Sequence, residues 1–171
     1  TRCNRYGGVV VGVLIAFYSV LTIRQNVYWS EPAAFYERTL RYAPLSRKAH
    51  YNLGMIYASA DREEEAIGML DRAIEMNPYH AEPYYSLGYI YYGAGRMEEA
   101  MDQFKKAIEI DPGHIRSLNA LGAATVKTGK TNEAIVLFKK ALELDEDYAP
   151  AHRNLAKAYY GKGEYRQAAR H

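Results

Sequence analysis

Apolar side chains follow two different patterns along the chain. From Tyr6 to Ile23 they run without a single charged residue. From residue 47 onward they recur three and four positions apart, the spacing of one face of an α-helix. These helical stretches come in pairs, each divided by a turn that carries Asp61, Gly95, Gly129 or Gly163. The pattern predicts an all-α chain, an apolar N-terminal helix followed by a row of helix pairs.

The row has a fixed register. Leu53, Leu87, Leu121 and Leu155 are each 34 residues apart, as are Ala66, Ala100, Ala134 and Ala168, and Ala73, Ala107 and Ala141. Gly54, Gly88, Gly122 and then Ala156 follow the leucines, and Tyr57, Tyr91, Thr125 and Tyr159 lie four beyond them. The expected units are 47–80, 81–114, 115–148 and 149–171; the last stops inside its second helix, as in a piece of a longer array. Small residues such as Gly88 and Ala100 let the two helices of a pair cross closely, and Pro78 and Pro112 end second helices. One pair cannot bury its own apolar face, so the units are expected to stack. Residues 31–46 keep Tyr36 and Pro44 in register, with Pro32 at a helix start, and read as a packing helix leading into the array.

The uncharged run has the length of a membrane span, ~27 Å as a helix. Arg2 and Arg5 stand at one end, Arg24, Gln25 and Asn26 at the other, with Tyr28 and Trp29 where interfacial aromatics are favoured. Residues 1–30 are therefore expected to be a membrane helix, spanning about 6–23, and its interfacial junction. A buried soluble helix would show a polar face, and a cleaved signal peptide would show a small-residue cleavage site; neither is present. Gly8, Gly12 and Ala16 form a small-residue stripe suited to packing against another membrane helix, although glycine is common in such helices anyway. Arginine on both sides leaves the orientation open.

Charge changes the picture little. Lys and Arg total 22 against 20 acids, no basic stripe or long like-charge block is evident, and nucleic acid is not an expected partner. The single cysteine, Cys3, rules out a disulfide framework or a cysteine metal site. No catalytic residue, metal site or cofactor is expected: His50 and His152 sit at packing positions, His80 and His114 in turns, and Glu63, Glu64 and Glu65 open a helix where acids suit its dipole. Tyrosine is the anomaly, with 17 residues against 4 Phe and 1 Trp.

The units resemble the tetratricopeptide repeat (TPR). Residues 81–112 carry Tyr84-x2-Leu87-Gly88-x2-Tyr91, then Ala100-x3-Phe104, Ala107 and Pro112. Departures are Leu70 for Phe, Thr125 for Tyr and Glu146 for Pro. The resemblance implies a right-handed superhelix whose first helices line a concave groove. Carried onto this chain, the groove positions are Lys48, Tyr51, Met55, Tyr85, Tyr89 and Tyr92 in one half, and Arg116, Asn119, Lys127, Arg153, Lys157 and Tyr160 in the other. Tyrosine there suits a peptide-binding surface, and the groove as a whole is expected to take a protein or extended-peptide ligand with an aromatic or apolar part and an acidic part. Alternatively the neighbouring tyrosines only cover the flank. The family's chaperone-tail clamp and its asparagine ladder do not carry over, because Tyr51, Met55, Tyr85 and Tyr89 replace the clamp residues and Ser86 and Ala120 interrupt the ladder.

The junction Thr22-x-Arg24-x-Asn26-x2-Trp29-Ser30, running on to His50-Tyr51-Asn52-Leu53-Gly54, resembles the point where TPR-tailed multi-spanning membrane O-mannosyltransferases pass into their tails. That resemblance implies an array outside the cytoplasm and catalytic acids elsewhere. Three functions follow: a membrane-tethered interaction scaffold, an acceptor-recognising tail of a membrane glycosyltransferase, and a soluble cytoplasmic adaptor. The first is the leading expectation.

Overall fold

The computed structural model of the chain describes residues 17–20 and 32–170. Beyond the helical residues 17–20, the described helices are α1 (Pro32–Tyr42), α2 (Arg47–Ser59), α3 (Glu63–Met76), α4 (Ala81–Gly93), α5 (Met97–Ile110), α6 (Ile115–Lys127), α7 (Thr131–Leu144), α8 (Ala149–Gly161) and α9 (Tyr165–Ala168). The helices starting at 47, 81, 115 and 149 reproduce the 34-residue register of the apolar pattern.

Helix starts are set by local chemistry. Ser46 accepts a hydrogen bond from the Ala49 N–H and begins α2. His80 and His114 do the same with ring nitrogens, accepting from the Glu82 and Ser117 N–H groups at 3.3 Å. The first helices end alike. Asp61, Gly95, Gly129 and Gly163 all have positive φ. The N–H of the next residue reaches back to the carbonyl of Tyr57, Tyr91, Thr125 or Tyr159 at 2.9–3.1 Å, the 6→1 bond of a Schellman turn. That turn reverses the chain, so the second helix packs antiparallel on the first.

The core lies between the helices of each pair and between successive pairs. Leu53, Leu87, Leu121 and Leu155 are buried, as are Ala66, Ala100, Ala134, Ala73, Ala107 and Ala141. Close approach is what the glycines provide: a Cβ on Gly88 would stand 2.7 Å from the Phe104 ring, and one on Gly122 2.5 Å from Phe138. α1 packs against α2, where the Asn52 side chain donates to the Tyr36 hydroxyl at 2.9 Å and the Tyr57 hydroxyl donates to Glu37 at 2.8 Å.

Curvature follows from which helices touch. The backbones of α2 and α4, of α4 and α6 and of α6 and α8 approach one another closely, whereas those of α3, α5 and α7 do not. First helices therefore lie on the tighter, inner side of the stack.

The expected N-terminal membrane helix is corrected. Among the described residues no helix is long and apolar enough to cross a membrane. The longest have 14 residues, and that length rises only ~21 Å against the ~30 Å of hydrocarbon to be crossed. Within 6–23 only residues 17–20 are described, helical and exposed. The rest of that run, with Gly8, Gly12 and Ala16, lies outside the described residues. The bilayer and neighbouring membrane helices as partners, and the membrane-anchored placement, rested on that helix and are withdrawn with it, as is the extracytoplasmic side, which rested on the junction resemblance.

Candidate functional site

The inner face of α2 and α4 holds a recess of about 640 Å³. Met55 and Ala58 from α2 form one wall; Tyr85, Tyr89, Ile90 and Gly93 from α4 form the other; Asp61 and Glu63 stand at the rim. Tyr89 keeps 60% of its surface exposed, and Met55 is exposed as well. Three expected groove residues, Met55, Tyr85 and Tyr89, thus share one apolar concavity.

Tyr85 is held from several sides. Its ring packs 6.0 Å from Phe104, 6.3 Å from Tyr89 and 5.5 Å from the His114 imidazole. The Arg116 guanidinium lies over its face at 4.9 Å, a cation–π arrangement. Burial raises the Tyr85 phenol above its ordinary value, with Arg116 opposing. It therefore stays neutral, a hydrogen-bonding hydroxyl on an apolar ring. Tyr51 adjoins the recess through its hydroxyl, 3.3 Å from both Ser86 Oγ and Glu82 Oε1. Burial is also the main cause of its raised phenol, with the hydrogen bond to Ser86 opposing and the Glu82 carboxylate adding to the rise.

The remaining groove positions divide. Lys127 sits over the half-buried Tyr92 ring at 4.2 Å. Asn119 accepts from the Asn154 side chain at 2.9 Å and is committed to joining α6 and α8. Lys48, Arg153 and Lys157 are exposed on α2 and α8, outside the recess, as is Tyr160, which packs edge-on against Tyr165 at 5.3 Å.

Glu82 was not among the expected groove residues, yet it is a hub. Its carboxylate accepts from Tyr51 and Arg116 and lies 3.2 Å from His114 Nε2. Its register position, equivalent to Lys48 and Arg116, was the one signal that marked it. Among the described residues no cluster of His, Cys, Asp or Glu could hold a metal ion.

Residues 45–113 match the family described as tetratricopeptide repeat, and residues 122–163 match a TPR repeat. The chain superposes on the crystal structure of MamA with a TM-score of 0.74 at 22% identity, covering 86% of each chain. It is also similar to PilF of Pseudomonas aeruginosa, with a TM-score of 0.75 at 20% identity over 88% of this chain and 68% of that one. The TPR protein YrrB, whose structure is described as having an unusual peptide-binding site, matches at 0.65 and 23% identity over 91% and 78%. At these identities the likeness shows the fold. No curated protein matches. The resemblance to a glycosyltransferase junction is corrected as well: its described part, residues 32–54, is α1 and the start of α2, packed into the TPR array, and the similar structures are repeat proteins.

Proposed function

We propose that this chain is a TPR scaffold that holds an extended segment of another protein along α2, α4, α6 and α8. The observation that carries the reading is the recess in which Met55, Tyr85 and Tyr89 present a partly exposed apolar surface on the inner face of the stack. Tyrosines at such a surface give large contact area for little lost rotamer entropy. The peptide-binding site ascribed to YrrB, which shares the fold, supports the same use of the array. Of the three functions drawn from the sequence this is closest to the adaptor, resting on the array alone and requiring neither a membrane tether nor sugar transfer.

The test is selection of displayed random peptides on the chain, followed by rebinding to Tyr85→Ala and Tyr89→Ala variants. Selected peptides should lose about tenfold or more in affinity for each variant, the loss typical of a truncated aromatic hot spot. Unchanged affinity in variants that keep their thermal stability would remove the groove from consideration.

A further inference from the structure

The near balance of charge in the whole chain conceals a separation between its faces. α2, α6 and α8 carry Arg47, Lys48, Arg116, Lys127, Arg153 and Lys157 and no acidic residue. The one acid on a long first helix is Glu82, and Arg116 and His114 already engage it. The second helices α3 and α5 are acid-rich instead. The inner face is therefore cationic, most openly at its α6–α8 end. Arg153 and Lys157 are exposed, have no ion pair among the described residues, and stand one helical turn apart on the same stripe.

Spacing turns this into a register. Packed helices lie 8–10 Å apart and an extended chain advances ~3.3 Å per residue, so each step between first helices corresponds to about three residues of ligand. Resting on the groove reading above, we infer that the occupant is an acidic segment of a partner protein, anchored by one aromatic side chain in the Tyr85–Tyr89 recess. Its carboxylates fall about three residues from the anchor, facing Lys127, and about six residues from it, facing Arg153 and Lys157. A phosphate backbone suits the same cations but not the anchor site, which is apolar and has Asp61 and Glu63 at its rim.

Fluorescein-labelled peptides with one Phe and a glutamate run at these offsets, made in both chain directions, test this by fluorescence anisotropy on the full chain. Glutamine and lysine counterparts and a single-stranded oligothymidylate are the comparison probes. The glutamate peptide in one direction should bind about tenfold tighter than its glutamine counterpart, as expected from two or three exposed ion pairs. Arg153→Glu with Lys157→Glu should abolish that preference, and Tyr85→Ala with Tyr89→Ala should weaken the glutamate and glutamine peptides alike. Equal binding of these two peptides, both weakened by the tyrosine variants, overturns the acidic occupant and leaves the groove reading intact. Binding indifferent to the tyrosines overturns the groove reading itself. Tighter capture of the oligothymidylate, or no binding by any peptide, also overturns the inference.

Discussion

Glu82 and Arg116 occupy the same position in successive repeats and form an ion pair across the step from α4 to α6. Arg116 also covers the Tyr85 ring, so one side chain ties the acid of one repeat to the aromatic wall of the recess. Arg116 is half exposed, and screening reduces what the pair contributes. A double-mutant cycle with Glu82→Gln and Arg116→Ala should return a coupling of about 0.5–1 kcal/mol that shrinks as salt rises. Urea denaturation measures it, and a salt-independent coupling would contradict a screened pair.

The glycines of the helix crossings should behave oppositely from the one on the open face. Gly122→Ala drives a methyl to 2.5 Å from the Phe138 ring and should destabilise the array by about 1–3 kcal/mol. Gly54→Ala should be milder because its contacts are longer, 3.1 Å to Leu70 Cγ and 3.2 Å to the Ala66 carbonyl oxygen. Gly68 lies within α3 with nothing near its missing Cβ, and Gly68→Ala should stabilise by about 0.8–1 kcal/mol. Urea midpoints of the three variants settle the order.

Asp61 is the one described non-glycine residue with positive φ, at 56°. Asp61→Gly should stabilise by about 0.5 kcal/mol, the left-handed penalty outweighing the entropy of a freer unfolded chain. Gly95→Ala, at φ 76°, should destabilise by about 1 kcal/mol. Thermal denaturation of the pair reads both signs.

Alkali should unfold the array through its tyrosines. Burial raises the phenols of Tyr51, Tyr57, Tyr84, Tyr85, Tyr91 and Tyr148 above the ordinary value of 10.0. A group whose folded value is raised holds its proton better when folded. Its stabilisation is complete below the ordinary value and disappears as pH climbs through the folded one. Stability with respect to these groups should stay flat up to about pH 10 and then fall, with tyrosinate absorbance rising together with loss of helical circular dichroism. Tyrosine ionisation well before the helices are lost would show that these rings are more open than the packing indicates.

The repeats were legible because close packing leaves little choice at a few positions. Leucine, alanine and glycine at 34-residue intervals are the residues that face one another between helices, and the turn glycines mark backbone that other residues adopt at a cost. Part of the recess, Met55, Tyr85 and Tyr89, could be read from the groove positions that the repeat resemblance implies. Glu82 escaped because its role depends on three partners outside its own helix, Tyr51 on α2, Arg116 on α6 and His114 at the α6 cap, and no local pattern records that. Single basic groove positions were legible, and with them an acidic part of the ligand, but the cationic inner face as a whole was not. Its charges are spread over helices that alternate with acid-rich ones, so in linear order the two signs cancel. Asn119 shows the converse: its register position faces the groove, but Asn154 occupies it. The uncharged run at 6–23 was read from its length, its flanking arginines and aromatics and its lack of a polar face, which measure oiliness without saying what an oily segment packs against.

Every described helix touches its sequence neighbours, and the first helices touch the next first helix, but nothing ties α1 to α9. Mechanically these are elements joined in series. A pull on the two ends is transmitted through every step at equal tension, and the extension is divided among them, each opening by a small angle. A ligand lying along the inner helices would bridge several steps at once and stiffen the spring, so that occupancy would be readable as a change in compliance.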